Sequence, residues 1–335
     1  MVAPLTQYDQ TGEQPGSGSG VDMQGHETQP ARVTVLMCTY NGERFLAQQL
    51  DSIASQTYRE WNVVVSDDGS TDATLDILRQ YSATWGEGRL TVLQGPKRGF
   101  AANFMSVACN APKQSHFYAW ADQDDIWQAN KLESAVQVLE ALPSDVPALY
   151  CARTELIGDS ETVIGCSPLF SRPASFANAL VQSLAGGNTM VFNHLARDVF
   201  CHAGAELDIV SHDWWAYLLV TGVGGKVVYD ASPSILYRQH EANLIGANSG
   251  MRARIMRLRL MSTGRFRDWN DINIAALETV RSRLSAESLQ TLEHFKKARD
   301  SKGYNRFVWL YRAKVYRQTC LGNLGLALAA VLNRI

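Results

Sequence analysis

Two hydrophobic patterns alternate along residues 32–142. Short continuous runs of apolar, mostly β-branched residues are typical of strands buried on both faces of a sheet. They predict strands over residues 32–38, 61–66, 89–93 and 116–122. Between these runs apolar residues recur every three or four positions, as at Leu46, Leu50 and Ile53, which predicts amphipathic helices. Strands that alternate with helices predict an α/β fold with a parallel sheet and helices on both faces.

The second half of the chain has a more mixed pattern. It predicts five further elements, the strands 188–193, 226–230 and 234–239 and the helices 194–204 and 212–222. From residue 251 to the end the pattern is helical. The last apolar stretch, 319–335, is short and interrupted by Asn323, so we expect a helix that packs on the protein or lies on a membrane surface.

Residues 1–30 are rich in Gly, Ser, Pro and Gln and almost free of large apolar residues. Because such a segment buries too little apolar surface to fold, we expect a disordered leader. The sequence therefore predicts three parts, the leader 1–30, an α/β domain over 31–246 and a basic helical extension over 247–335.

Charge is distributed unevenly along the chain. The net charge of −2 combines +11 over residues 251–335, which hold 17 Lys and Arg and 6 Asp and Glu, with −13 over the remainder. A basic tail on an acidic body suggests an anionic partner, either a membrane surface or a phosphorylated acceptor. Solvated helix faces that happen to be rich in Arg are the alternative. We expect no nucleic-acid partner.

The distribution of cysteines and apolar residues indicates the cellular compartment of the protein. The six cysteines are scattered without a CxxC pair, and the first 30 residues contain no apolar secretory signal. No run of about 18 apolar residues is present, which is the length a membrane-spanning helix needs. These features predict a reduced, cytoplasmic protein without a spanning segment.

Polar side chains follow three of the predicted strands at their carboxyl ends, where sheets of this kind bind ligands. The three clusters are Thr39, Tyr40 and Asn41, then Asp67 and Asp68, and finally Asp122, Asp124 and Asp125. The third lies between two tryptophans in WADQDDIW and offers oxygen ligands that suit Mg²⁺ or Mn²⁺. The alternative is a polar turn before a helix, which the flanking tryptophans disfavour.

Other polar positions allow both a functional and a structural interpretation. Asp67 and Asp68 suit hydrogen bonds to a base or ribose, but an Asp-Gly turn uses the same residues. Asp213 in SHDWW is a candidate general base desolvated by two tryptophans, or a carboxylate that stabilises a helix N-terminus. Arg238 and His240 lie on one strand face, where they suit a phosphate or a metal as well as a polar surface strand.

Several common sites are excluded by the motifs that the sequence lacks. No GxGxxG follows a strand and no GxxxxGK[ST] occurs, so neither dinucleotide nor P-loop nucleotide binding is supported. HExxH and CxxC zinc motifs and the GxSxG elbow of serine hydrolases are also missing. His212 is interpreted as a structural residue, since a lone histidine usually has a hydrogen-bonding role.

Four stretches in this order resemble family 2 glycosyltransferases, inverting enzymes of the GT-A fold. They are VLMCTYNGERFLAQQLDSIASQT, VVVSDDGSTDATLDIL, GFAANF and ADQDDIW. HDWWAYLL and ILYRQHEANLIG are similar to a subgroup of rhamnosyltransferases and transferases of O-antigen or lipopolysaccharide core. The resemblance covers roughly residues 32–246 and implies a Rossmann-like mixed sheet with helices on both faces. The QxxRW motif of processive relatives is absent, so a single addition is expected.

The resemblance also implies roles for individual residues. Asp213 would be the catalytic base. Asp124 and His240 would contact a divalent cation, Mg²⁺ or Mn²⁺, through the donor diphosphate. Residues expected to bind the nucleotide sugar are Cys38, Thr39, Tyr40, Asn41, Asp67, Asp68, Asn103, Asp122, Asp125 and Arg238. Cys38 departs from the family, since many relatives carry Pro or another small residue there.

The implied reaction is transfer of a sugar from a nucleoside-diphosphate donor to a hydroxyl of a glycan or lipid-linked acceptor, such as lipopolysaccharide core or O-antigen. L-Rhamnose from dTDP-L-rhamnose is the expected donor, with a UDP-hexose as the alternative. The basic C-terminal helices would allow peripheral contact with the cytoplasmic face of the inner membrane. A nucleotidyltransferase and a non-catalytic glycan-binding module are the competing interpretations.

Overall fold

A computed structural model describes residues 32–158, 161–239 and 265–335. Within them the strands are β1 Val33–Thr39, β2 Trp61–Asp67, β3 Leu90–Gln94, β4 Phe117–Ala121, β5 Ile126–Trp127, β6 Ala148–Ile157, β7 Val163–Cys166, β8 Val191–Asn193 and β9 Lys226–Arg238. The helices of the first 239 residues are α1 Leu46–Ala54, α2 Thr74–Trp85, α3 Phe100–Asn110, α4 Lys131–Glu140, α5 Phe176–Ala179, α6 His194–Ala203 and α7 His212–Gly222. The C-terminal helices are α8 Arg265–Thr279, α9 Ala286–Asp300, α10 Tyr304–Ala313 and α11 Cys320–Val331.

One mixed sheet forms the centre of the α/β fold. Its order is β3-β2-β1-β4-β8-β6-β9-β5, with β7 paired to β6. The first four strands are parallel, as predicted, because each is connected to the next by a helix or a long loop. Strand β8 is antiparallel to both β4 and β6, whereas β9 runs parallel to β6.

The second half of the sheet differs from the sequence prediction. Strand β6 was not among the predicted strands, although it is the longest partner of β9. The predicted strands 226–230 and 234–239 form the single strand β9, whose register shifts near Pro233. The predicted strand 188–193 is a 3₁₀ turn over Gly187–Thr189 followed by the short strand β8.

Alternate residues of each central strand point into two different cores. Along β1, Val33, Val35 and Met37 pack on one side with α1 and α4, and Leu36 and Cys38 pack on the other with α3, α6 and α7. This period of two follows from the pleat of a strand. Helices on both faces are therefore confirmed.

The predicted basic C-terminal extension is helical. Helices α8 and α9 bury Leu277, Leu292 and Phe295 in the same core as α7, and α10 and α11 add Ala313 and Leu326. The backbone N–H of Ser285 donates to the carbonyl oxygen of Gly222 at the end of α7 (2.9 Å). The described residues belong to one compact unit. The predicted leader, His240 and the junction at residues 246–247 lie outside the described residues.

Candidate active site

The carboxyl ends of β1, β2 and β4 meet at one edge of the sheet. Thr39 pairs with Asp67 in the β1–β2 ladder, and Met37 pairs with Ala121 in the β1–β4 ladder. The three predicted clusters are therefore neighbours. The pKa of the Cys38 thiol is raised by its burial and by the nearby charges of Asp122 and Asp68, which places Cys38 between the second and third clusters.

Asp67 uses its carboxylate inside the turn that follows β2. It accepts hydrogen bonds from the Thr39 hydroxyl (2.8 Å) and from the backbone N–H groups of Ser70 (2.9 Å) and Gly69 (3.1 Å). Burial raises the pKa of Asp67, but these hydrogen bonds outweigh that effect and the pKa lies below its usual value. The side chain thus shapes the loop between β2 and α2.

Asp68 and Asn103 connect β2 with the basic loop GPKRG at residues 95–99. The Asp68 carboxylate accepts from the backbone N–H groups of Lys97 (2.6 Å) and Gly99 (3.1 Å). The Asn103 side chain donates to the carbonyl of Ser66 (2.9 Å) and accepts from its hydroxyl (2.6 Å). Asn103 is therefore paired within the protein, and Asp68 orders the loop that leads into α3.

Residues 39–41 present an aromatic ring at this edge. The backbone of Tyr40 both donates to and accepts from the Gln123 side chain (2.9 and 3.0 Å), while its ring is 59% exposed. Asn41 has φ of +48° and accepts from the backbone N–H of Thr71 (2.9 Å). Gln123 thus links the β1 loop with the WADQDDIW loop, and Tyr40 offers a flat apolar surface beside both.

The third cluster is crowded and partly buried. Asp125 accepts a hydrogen bond from the Asn188 side-chain amide (2.6 Å), and its second oxygen has no hydrogen-bond partner among the described residues. Burial and the nearby charges of Asp124 and Asp122 raise the pKa of Asp125. Burial, then the charges of Asp124 and Asp213, raise the pKa of Asp122. The cluster therefore carries an excess of negative charge for its surroundings.

A buried lysine balances part of this charge. The Lys131 ammonium donates to the carbonyl of Asn188 (2.6 Å) and lies 4.0 Å from the centre of the Trp127 ring. Burial lowers the pKa of Lys131 to about 7, against the opposing effect of Asp125 and Asp122. The ring of Trp127, one of the two flanking tryptophans, thus contacts the Lys131 ammonium next to the acidic loop.

Asp213 lies in the first turn of α7, where the helix N-terminus favours a carboxylate. Its carboxylate accepts from the backbone N–H of Trp214 (2.7 Å), and burial raises its pKa. Burial and then the charges of Asp125, Asp122, Asp124 and Asp213 raise the pKa of Tyr237. The charge of Asp213 thus acts both on Tyr237 and on Asp122, so the structure brings Asp213 near the acidic cluster, although it is 88 residues further along the chain than Asp125.

His212 is packed in an aromatic box. Its ring stacks on Phe104 at 3.9 Å between centroids and contacts Trp120 edge-on at 4.8 Å. Neither ring nitrogen has a hydrogen-bond partner among the described residues, and burial lowers the pKa of His212 to about 3. The interpretation of His212 as a structural residue agrees with this packing, but its role is apolar rather than hydrogen-bonding.

Arg238 is buried at the end of β9. Its guanidinium donates to the carbonyl of Asp124 (3.3 Å) and to the side chain of Gln48 (2.8 Å), and it lies 4.4 Å from the Phe45 ring. Glu161 forms an ion pair with it at 3.5 Å. These contacts connect β9 and α1 with the loop that carries Asp124, so Arg238 positions this loop. His240 lies outside the described residues.

The carboxylates suit a hard divalent cation only if another molecule supplies ligands. Among residues 32–158, 161–239 and 265–335, no three His, Cys, Asp or Glu side chains are arranged to hold a metal. The partnerless oxygen of Asp125 and the raised pKa of Asp122 nevertheless indicate a site where added positive charge would be stabilising. The donor set thus fits a cation shared with a diphosphate.

Sequence reasoning missed four residues of the site, Lys131, Gln123, Asn188 and Tyr237. Asn188 follows two glycines in LAGGN, a composition that predicts only a turn. Tyr237 lies in β9 and Lys131 in α4, and the sequence patterns of these two elements do not distinguish either residue from an ordinary strand or helix residue. Their roles depend on contacts between segments that are far apart along the chain, which no local pattern contains.

Comparison with known proteins identifies this arrangement. Residues 34–164 match the family model described as glycosyl transferase family 2. These residues therefore form a family 2 glycosyltransferase domain. The dTDP-rhamnosyl transferase RfbG of Shigella flexneri is 28% identical over 234 residues, which are 67% of this chain and 78% of RfbG. Two further curated glycosyltransferases are 36% and 30% identical, over 38% and 49% of their own lengths.

Two solved structures show the same fold as this chain. S. aureus TarS 1–349 in complex with UDP-GlcNAc has a TM-score of 0.51 and 16% identity, over 84% of this chain and 79% of that one. GalNAc-T7 with UDP, GalNAc and Mn²⁺ has a TM-score of 0.53 and 13% identity, over 87% and 56%. The prediction of a glycosyltransferase with the GT-A fold is confirmed.

Proposed function

We propose that the chain transfers a sugar from a nucleoside-diphosphate donor to an acceptor hydroxyl by a single displacement, with Asp213 as the general base. The observation that carries this proposal is that Asp213 lies near enough to the acidic cluster for its charge to act on Asp122 and on Tyr237, which also feels the charges of Asp124 and Asp125. A base and a diphosphate-binding cluster on one cleft are what an in-line displacement at the anomeric carbon requires.

The donor nucleotide is proposed to bind at the ends of β1 and β2. The exposed ring of Tyr40 provides a face on which a base can stack, and Cys38, Thr39, Asn41 and Asp68 border the same edge. Asp67, Asn103 and Arg238, which the sequence assigned to the donor, are proposed instead to position the loops, since they are buried and their polar groups have partners within the protein. Asp68 and Asn41 also have partners, but their side chains stay at least partly exposed.

A divalent cation, Mg²⁺ or Mn²⁺, is proposed to be held by Asp124, with Asp122 and Asp125 nearby. Support comes from the oxygen-only donor set and from the Mn²⁺ in GalNAc-T7, a protein of the same fold. When bound, the cation would neutralise charge that develops on the departing diphosphate. His240 stays a predicted ligand outside the described residues.

The proton is transferred at Asp213. Its carboxylate would accept the proton of the acceptor hydroxyl while that oxygen attacks the anomeric carbon from the face opposite the nucleotide. Burial raises the pKa of Asp213 from its usual value towards neutrality, which makes the carboxylate a better base than an exposed one. Trp214, whose indole N–H donates to the carbonyl of Ala179 (2.6 Å), fixes the start of α7 and so the position of this carboxylate.

The proposed donor is dTDP-L-rhamnose, and another nucleotide sugar such as a UDP-hexose is the alternative. Similarity to RfbG, named a dTDP-rhamnosyl transferase, supports the first choice. The proposed acceptor is a glycan or lipid-linked saccharide of lipopolysaccharide core or O-antigen type, met at the cytoplasmic face of the inner membrane. Contact with that face is proposed to be peripheral. Among the described residues no helix is long and apolar enough to cross a membrane.

A product assay tests this function. Incubation of the chain with dTDP-L-rhamnose, Mn²⁺ and a lipid-linked saccharide is expected to release dTDP in proportion to glycosylated product. Release of pyrophosphate would instead indicate a nucleotidyltransferase, and no release with a panel of nucleotide sugars would contradict the proposal. Chelation with EDTA is expected to reduce both the release and the donor-induced rise in melting temperature, and full activity after chelation would remove the cation from the account.

A further inference from the structure

Two C-terminal helices expose apolar side chains at helical spacing. On α10 these are Tyr304, Phe307 and Tyr311, at positions i, i+3 and i+7. On α11 they are Leu321, Leu324, Leu328 and Val331, at positions i, i+3, i+7 and i+10. Tyr311 is 86% exposed and Leu324 is 67% exposed. Each helix therefore has an apolar face directed at solvent, which soluble surfaces rarely present without a partner.

The opposite face of α11 packs on the protein, so its orientation is fixed. Gly325, Leu326, Ala329 and Ala330 on that face are buried. The buried guanidinium of Arg306 in α10 donates to the carbonyl of Ala298 at α9 (3.2 Å) and also to the carbonyl of Ala330 in α11. These contacts hold three helices together, and the exposed apolar faces are thus a stable feature of the fold.

Charge distinguishes the possible partners of these faces. Residues 301–335 contain six Lys and Arg and no Asp or Glu. Lys302, Arg312 and Lys314 are exposed at the ends of α10. A second copy of the chain would bring like charges together, which is unfavourable. An anionic surface would instead attract them, so charge complementarity favours lipid over self-association.

We propose that α10 and α11 form a docking surface for a membrane that contains anionic phospholipid. The apolar faces would enter the boundary between headgroups and acyl chains, where Tyr304 and Tyr311 suit a position between water and lipid. The exposed cations would meet the phosphate headgroups. With 12 residues, α11 is far shorter than the roughly 20 needed to span a bilayer, so it would lie along the surface.

Hydrogen bonds connect this surface with the helix that carries Asp213. In the segment between α10 and α11, the carbonyl of Tyr316 accepts from the Asn178 side chain (2.8 Å). Asn178 also accepts from the hydroxyl of Tyr217 in α7 (2.9 Å). Docking through α10 and α11 would therefore set the orientation of the cleft relative to the membrane. That consequence rests on the proposed lipid-linked acceptor, whereas docking itself does not.

Vesicle co-sedimentation of the full chain tests the proposal. We expect binding to phosphatidylcholine vesicles that contain phosphatidylglycerol, weaker binding as salt is raised, and little binding to pure phosphatidylcholine. The double variant Leu324→Glu/Leu328→Glu is expected to reduce binding at least about tenfold, because both changes place charge on the inserted face. Val92→Glu, at an exposed apolar position on β3, is the matched control and should bind as the wild type does.

Three results would overturn the proposal. They are no binding to phosphatidylglycerol vesicles, unchanged binding by the double variant, and a concentration-dependent dimer that the double variant abolishes. Sugar transfer to a water-soluble acceptor should be unaffected in Leu324→Glu/Leu328→Glu, since neither residue borders the cleft. If the wild type binds vesicles but transfers no sugar, the docking surface stands and the proposed function fails.

Discussion

Aspartates at the edge of the sheet have very different surroundings. The Asp67 carboxylate receives several hydrogen bonds within its turn, which hold its pKa low. Asp125 has one oxygen without a partner among the described residues, and burial beside other carboxylates raises its pKa. A side chain whose bonds are complete positions a loop, whereas one that is buried and incomplete is suited to a ligand. The sequence places both at strand ends and does not separate the two cases.

His212 permits a test at the scale of one residue. Its pKa of about 3 in the folded chain, against about 6.5 unfolded, means that only the unfolded state takes up a proton as pH falls from 6.5 towards 3. Stability is therefore lost with acidification over that window. Between pH 7.5 and 5 the wild type should lose about 2 kcal/mol more free energy of unfolding than His212→Leu.

Urea denaturation at a series of pH values measures this difference. His202→Leu, which alters an exposed histidine on α6, is the control and should retain the wild-type slope. If the free energy of unfolding depends on pH in the same way for the wild type and His212→Leu, the pKa of His212 is not lowered in the folded chain.

Elements with a clear local signature were predicted well. The Val-rich runs of β1 and β2 and the apolar helix α7 appear within one residue of their expected bounds. Strand β6, ALYCARTELI, was missed because Arg153 and Glu155 interrupt its apolar pattern. Pairing with β8 on one side and β9 on the other stabilises it as a strand. Pro233 divided the pattern of β9 in two, although the chain accommodates it with a register shift.

The approach of the 187–189 turn to α7 gives a test at the scale of elements. A Cβ atom on Gly187 would lie 2.0 Å from Nε2 of His212, and the stacked histidine has little room to move. Gly187→Ala should therefore destabilise the fold by about 1–3 kcal/mol. Gly158→Ala adds the same methyl group in open space and should change stability by less than about 0.5 kcal/mol. Equal midpoints of thermal unfolding for the two variants would contradict this packing.

At the scale of the whole molecule, the chain has an acidic cluster at the edge of the sheet and a basic, apolar surface on α10 and α11. The sequence suggested each of them separately. The motifs at the strand ends were enough to predict the family and the neighbourhood of three acidic clusters. They did not show that Asn188 donates to Asp125 and accepts from Lys131, since those contacts join distant segments. The charge count predicted an anionic partner for the C-terminal region, but only the folded helices show which apolar residues face outward.

Asp213 is proposed to take the proton from the acceptor hydroxyl during sugar transfer. The most direct measurement is the steady-state rate of nucleoside diphosphate release by Asp213→Asn in the presence of donor and acceptor. The rate should fall by about 10²–10⁴, because the amide cannot act as a base, while the donor still raises the melting temperature. Asp76→Asn, at an exposed carboxylate of α2, should keep the wild-type rate. A rate for Asp213→Asn within a few fold of the wild type would show that Asp213 is not the general base.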